Sequence, residues 1–206
     1  MTTDWLGENK DLLKFKSYSD LVENLYQNAI LDSFQRLQAI PGIGSNTENV
    51  IRNHLAYDLE KANSILQPYL QKKILKLTKE NTILPSSTTT RRTDIEFFMS
   101  SYGDFVVECK NLRSADQRYI NDGLIRFTNE VYSTEDSEAG MIGFIVGGDI
   151  AKIQLNLHNK LKGHGTYLVS PLASSKCNGY VYSFHSTHKR TTKSAIYIHH
   201  LLINLR

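Results

Sequence analysis

Cysteine is almost missing from this chain: among 206 residues only Cys109 and Cys177 carry a thiol. They form no metal-ligand spacing and read as reduced core thiols, which points to a cytoplasmic protein. Long hydrophobic runs are missing too. No apolar stretch approaches the length needed to span a bilayer, and nothing at the N-terminus reads as a signal peptide, so no membrane partner is expected. There is no nucleophile elbow, no Walker A loop and no dinucleotide glycine fingerprint, and those enzyme classes drop out. Internal repeats are absent, and the length suits one domain with an appendage.

Acidic residues stop early. After Asp149 the chain has none, while Lys152, Lys160, Lys162, Lys176, Lys189, Arg190, Lys193 and Arg206 follow. The formal charge is only +3, but its uneven distribution makes the C-terminal part attractive to polyanions. A second basic group, Lys72, Lys73, Lys76, Lys79, Arg91 and Arg92, lies further upstream. It suits a phosphate backbone and a solvated helix face equally well, and neither group carries base-sequence information.

Residues 19–39 place Leu21, Leu25, Ile30, Leu31, Phe34 and Leu37 mostly three to five apart, which predicts an amphipathic helix. Ile40-Pro41-Gly42-Ile43-Gly44 ends it. A second helix is expected from Thr47 through Val50, Ile51, Leu55 and Leu59, with Ser45, Asn46 or Thr47 as its cap. Pro68 should separate it from a lysine-rich third helix over 69–77. The polar run Ser86-Ser87-Thr88-Thr89-Thr90 reads as a loop or a solvated edge. Later come a helix over 115–132, an acidic loop, an apolar strand over 141–146, a helix over 150–160, and strands over 166–170, 180–184 and 195–205.

The densest chemistry lies between those halves, in Thr93-Asp94-Ile95-Glu96-Phe97-Phe98, a Ser-Tyr-Gly-Asp turn, and Phe105-Val106-Val107-Glu108-Cys109-Lys110. Phe105 to Cys109 is apolar except at Glu108, as in a strand covered on both faces. A carboxylate there must lie at the strand's open end or meet a cation, because burying an unpaired charge costs several kcal/mol. Side chains alternate along a strand, so Glu108 and Lys110 share a face and Cys109 points the other way. The hairpin brings Asp94 alongside. Two carboxylates and an ammonium on one face suit a hard divalent cation with oxygen ligands, and with it phosphodiester hydrolysis. A solvated face with a cross-strand ion pair would carry the same residues, but it would alternate with polar positions, and this strand does not.

Asp94 with Glu108-Cys109-Lys110 resembles the signature of the PD-(D/E)xK nuclease superfamily, an acid at the end of one strand and Glu-x-Lys on the next. Thr93 stands where that signature has proline. The resemblance implies a restriction-endonuclease-like α/β fold: an αβββαβ core with a mixed central sheet over about 46–148, an N-terminal helical segment over 1–45 and a C-terminal β extension over 149–206. It implies Mg2+ as cofactor, with Mn2+ as a substitute, and DNA as partner. Asp94, Glu108 and Lys110 would be catalytic, with the metal held by Asp94, Glu108 and the Cys109 backbone carbonyl. Many such proteins add a Glu from the helix that opens the core. Glu48 fits, sharing a face with Ile51 and Leu55, with Glu60 in reserve; a first-turn acid is equally well explained by the helix dipole. Arg91, Arg92, Gln117, Tyr119, Lys189 and Arg190 are candidate nucleic-acid contacts, although Gln117 and Tyr119 also suit capping or packing.

Residues 37–44 followed by Ile51 resemble a helix-hairpin-helix motif, with Glu48 where that motif wants a small residue. Cys177, His185, His188, His199 and His200 match no standard zinc framework. Three readings follow: a DNA nuclease, by analogy one in restriction or anti-phage defence; a catalytically silent binding or assembly module of the same fold; and a nuclease for RNA or branched junctions. The last calls for a homodimer, and a small domain without a base-reading element suits a targeting protein partner.

Overall fold

A computed structural model describes residues 15–79, 82–83, 91–132, 137–169, 179–192 and 194–206. The Ser86–Thr90 run, the acids Glu135 and Asp136, and Cys177 lie outside them. Helix α1 opens at Ser17, whose hydroxyl accepts the Asp20 N–H, and runs through Tyr18–Leu21, a π-helical stretch Val22–Gln27, and Asn28–Gln38. Leu21, Leu25, Ile30, Phe34 and Leu37 are buried as the periodicity predicts. The Gly-rich turn follows, with Gly42 at φ +72. Gly44 is required by contact: a Cβ there would lie 2.1 Å from the Leu205 carbonyl oxygen. The turn also uses its own amides, with Ile43, Ser45 and Asn46 N–H bonded to Ile40, Gly42 and Ile43 carbonyls.

Helix α2, Glu48–Lys61, starts after Thr47 and buries Ile51, Leu55 and Leu59 together with Arg52. The expected lysine-rich helix is shorter. Helix α3 covers only Gln67–Gln71, Lys73 turns the chain at φ +56, and Leu75–Lys79 forms strand β1. Leu75-Lys76-Leu77 alternates apolar and polar residues, and pairing against the next long strand (Leu75↔Met99) favours the strand over any helix preference of the lysines.

The short pair β2 (Thr82–Ile83) and β3 (Arg91–Arg92) stands apart from the main sheet. Strands β4 (Ile95–Met99) and β5 (Gly103–Leu112) form the expected hairpin, closed at Gly103 with φ +92. Helix α4, a π-helical Tyr119–Leu124 continued by Ile125–Thr128, then crosses to β6 (Glu138–Ile145), which lies parallel to β5. This helix is shorter than expected, with Glu130 at φ +56 just beyond its end. Gly123 marks its closest approach to the sheet, since a Cβ there would lie 2.4 Å from the Met141 Cε.

Helix α5 (Ile150–Lys162) and strands β7 (Tyr167–Val169), β8 (Ser183–His188) and β9 (Ile196–Asn204) complete the order. Strand β8 begins later than the expected strand over 180–184. The seven-stranded mixed sheet runs β1-β4-β5-β6-β9-β8-β7, with parallel pairs at β5/β6 and β6/β9. The chain is therefore α/β. Strand β9 is internal, so the C-terminal part supplies three of the sheet's seven strands. One face packs Phe97, Phe105, Cys109, Ile142 and Phe144 with α1 and α2; the other packs Met141, Phe184, Ile198 and Leu202 with α4 and α5. Among the described residues no helix is long and apolar enough to cross a membrane.

Candidate active site

Strand β5 outruns its neighbour. Pairing with β4 stops at Ile95↔Val107, which leaves the outward N–H groups of Cys109 and Asn111 without a strand beside them. Buried backbone donors are rarely left unpaired, and here side-chain carboxylates take over. Asp94 Oδ2 accepts the Cys109 N–H at 2.8 Å, and Glu48 Oε2, from the first turn of α2, accepts the Asn111 N–H at 2.9 Å. Two predicted acids thereby meet at the end of one strand. Glu60 sits twelve residues further along α2, roughly 18 Å away at 1.5 Å per residue, and pairs with Lys61.

The remaining carboxylate oxygens face cations. Asp94 Oδ1 accepts Arg52 Nη1 at 2.7 Å, in a pair where both side chains are nearly inaccessible. Glu108 Oε1 lies 3.1 Å from both Lys110 Nζ and Arg126 Nη1, and Glu108 Oε2 accepts the Tyr132 hydroxyl at 3.0 Å. Arg126 Nη1 also donates to the Tyr132 hydroxyl, and its guanidinium carbon stands 5.6 Å from that ring's centroid. Lys110 Nζ donates to the Cys109 carbonyl at 2.9 Å and stands 3.5 Å from Glu48 Oε1. Glu48, Asp94 and Glu108 thus face Arg52, Lys110 and Arg126, and the formal charges cancel.

Exposure decides where this cluster meets solvent. The Arg126 and Glu48 side chains are 40% and 32% exposed, whereas Lys110 and Asp94 are 11% and Glu108 1%. The two most exposed members, Glu48 and Arg126, stand on α2 and α4.

Burial pushes the Glu108 carboxyl up to about 7, with the Asp94 charge adding to the rise and Lys110 and Arg126 opposing it. Lys110 moves the other way from what burial alone would do: Glu108, Glu48 and Asp94 hold its ammonium above the usual lysine range. It is a cation and a hydrogen-bond donor at neutral pH. Because Glu108 is raised from 4.5, the folded protein binds its proton more tightly than the unfolded chain. The resulting stability is full below pH 4.5 and is lost as pH rises through about 7. Stability in chelator, followed by thermal melting, should therefore fall between those values by at most about 3 kcal/mol. Glu108→Gln should flatten that slope; an unchanged slope in the variant would assign it to another group.

No family model, curated protein or solved structure matches this chain. What the site does has to be read from its own geometry.

Glu108 Oε1, the Cys109 carbonyl and Glu48 Oε1 converge on the Lys110 ammonium, so a positive centre with oxygen neighbours already exists. Asn111 Oδ1, on the next residue, is a buried acceptor without a partner. All of these donors are oxygens, the chemistry that magnesium prefers. Among the described residues no three Asp, Glu, His or Cys side chains are close enough to hold an ion as they stand, and Arg52, Lys110 and Arg126 pair with the carboxylates. The donor types fit a divalent metal, and the cations mark what such an ion would compete with.

The other predicted contacts scatter. Gln117 is exposed at the start of α4 and bonds Asn121. Tyr119 departs from the expected phosphate contact: it is fully buried, and its hydroxyl bonds His200 Nδ1 at 2.9 Å inside the core. Arg190 departs likewise, since it is buried and its Nε donates to the Ser194 carbonyl. Lys189 is exposed, but it follows β8, three strands or roughly 14 Å across the sheet from β5 at about 4.8 Å per strand, and at the opposite end of the strands from Lys110. The side chains of Arg91 and Arg92 lie outside the described residues. His188 and His200 are bridged by Ser186, and His199 pairs with Glu138, so these histidines serve hydrogen bonding between elements. A groove of about 590 Å3 along β1, lined in part by Leu70, Ile74 and Phe98, shares no residue with the carboxylate cluster.

Sequence reading missed Arg52 and Tyr132 and gave Arg126 no role. Arg52 carried a usable signal: it follows Ile51 on the face that α2 buries, where an arginine needs a carboxylate. For Arg126 and Tyr132 the signal was weaker, a cation and a hydroxyl close after Gly123, where the helix comes closest to Met141 on the sheet.

Proposed function

We propose that the chain is a divalent-metal-dependent nuclease that hydrolyses phosphodiester bonds in DNA on a restriction-endonuclease-like core. The observation that carries this reading is the set of oxygens around Lys110: Glu108, the Cys109 carbonyl and Glu48 converge on one ammonium, and Asp94 accepts the N–H of the same residue, Cys109. The order helix α2, antiparallel β1-β4-β5, crossover helix α4 and parallel β6 supports the core assignment.

Asp94, Glu108 and the Cys109 carbonyl would hold the metal, with Glu48 beside them. When bound, it would supply a water acidic enough to attack phosphorus and a positive charge for the phosphoryl oxygens. Lys110 contributes through its protonated Nζ, which donates to the attacking water or to a non-bridging oxygen and offsets charge as it develops. Arg52 fixes the Asp94 carboxylate against β5. Tyr132 does the same for Glu108 from the opposite face. Burial of Glu108 keeps bulk water from the carboxylate, which strengthens each of these interactions.

The test is to incubate purified protein with plasmid, linear duplex DNA, single-stranded DNA and RNA, in magnesium, manganese or chelator. DNA should be cut with either metal and left intact in chelator. Cleavage that survives chelation, or cleavage of RNA alone, contradicts the proposal. One observation favours a second reading: every carboxylate already has a cation partner, as a silent binding module would allow. Binding without cutting under all metal conditions would select it. Mass in solution separates out a junction-cutting dimer.

A further inference from the structure

We propose that Arg126 is the phosphate-contacting residue of this site, the guanidinium that receives a non-bridging oxygen of the nucleic-acid backbone. The inference rests on the polynucleotide reading above and adds a substrate contact to it. Of the three cations in the cluster, Arg52 and Lys110 are sealed in, with side chains 6% and 11% exposed, while Arg126 is 40% exposed at the mouth. Only its Nη1 is engaged, by Glu108 and the Tyr132 hydroxyl. Its Nε and Nη2 have no hydrogen-bond partner among the described residues. A planar guanidinium with open donors matches a phosphate's paired oxygens.

Glu108 gives Arg126 room to do this. The carboxylate is also held by Lys110 at 3.1 Å and by Tyr132 at 3.0 Å, so the guanidinium can turn toward an incoming anion without stranding a buried charge. The Tyr132 ring beneath it limits its excursion. Arg126 thus stands beside the carboxylates and is reachable from solvent. Lys189, by contrast, is exposed but distant.

Binding of a short DNA duplex, measured in calcium over a range of salt concentrations, separates this role from a purely structural one. Arg126→Ala should weaken binding about 10-fold and lower the slope of log affinity against log salt by about 0.9, the signature of one lost phosphate contact. Arg126→Lys should recover the slope but not the cutting rate in magnesium, because lysine restores charge without the planar fork. Tyr132→Phe, which removes the hydroxyl shared by Glu108 and Arg126 but keeps the Arg126 charge, should leave the slope unchanged. Equal slopes for wild type and Arg126→Ala, or no DNA binding by the wild-type protein, overturn the assignment. A slope lost at Arg126 in a protein that cuts nothing would leave the assignment standing and reject the nuclease.

Discussion

Lys110→Ala should abolish DNA cleavage, lowering the rate by about 10²–10⁴-fold, while the protein stays folded. The variant is clean for a structural reason. With Lys110 gone, Glu108 keeps Arg126 and Tyr132, and Glu48 keeps the Asn111 N–H, so no carboxylate is left alone. Asp94→Ala is a poorer test, because it strands Arg52 in the core and removes the acceptor from the Cys109 N–H. Asp94→Asn keeps an oxygen for that N–H and should lose cleavage just as fully. Unchanged cleavage by Lys110→Ala, with melting temperature and DNA binding also intact, would remove Lys110 from the mechanism.

Arg52→Met should cost about 3–5 kcal/mol of stability, the usual loss when one partner of a buried ion pair is removed. For a chain of this length that is roughly 6–20 °C in melting temperature. The loss comes mainly from what remains: Asp94 Oδ1, with its side chain 11% exposed, would face the core without its cation. Combining Arg52→Met with Asp94→Asn should recover much of it, because the amide carries no charge and still accepts from Cys109. A double-mutant cycle read by thermal melting measures the coupling directly. A single-variant loss below about 1 kcal/mol would place the pair with surface salt bridges and undo the account of how Asp94 is held.

These predictions show where the sequence was informative. Helix α1, helix α2 and the β4–β5 hairpin depend on short-range periodicity and turn residues, and they form close to where that periodicity places them. Leu75-Lys76-Leu77 is too short for its pattern to separate a strand from a helix; the partner Phe97–Met99, twenty or more residues away, decides it. Tyr119 and Arg190 were read from their polar ends. Both are buried: Tyr119 meets His200, 81 residues along the chain, which no local pattern predicts, and Arg190 folds back onto the Ser194 carbonyl four residues on.

The sequence by itself determined that an acid and a Glu-x-Lys lie on adjacent strands, because a strand's alternation and a hairpin's register are local geometry. It also determined that Glu108 must meet a cation, since an otherwise apolar strand offers it no water. Only the tertiary structure decided which cations answer. Arg52 reaches Asp94 from α2, and Arg126 reaches Glu108 from α4 beside Gly123. These contacts bridge 42 and 18 residues of chain; the first follows from the Cys109 N–H outrunning β4 and drawing Asp94 to the strand end, the second from the burial of Glu108 on β5 itself. Charges that must be paired on burial, but are brought together only by packing, are where sequence periodicity stops.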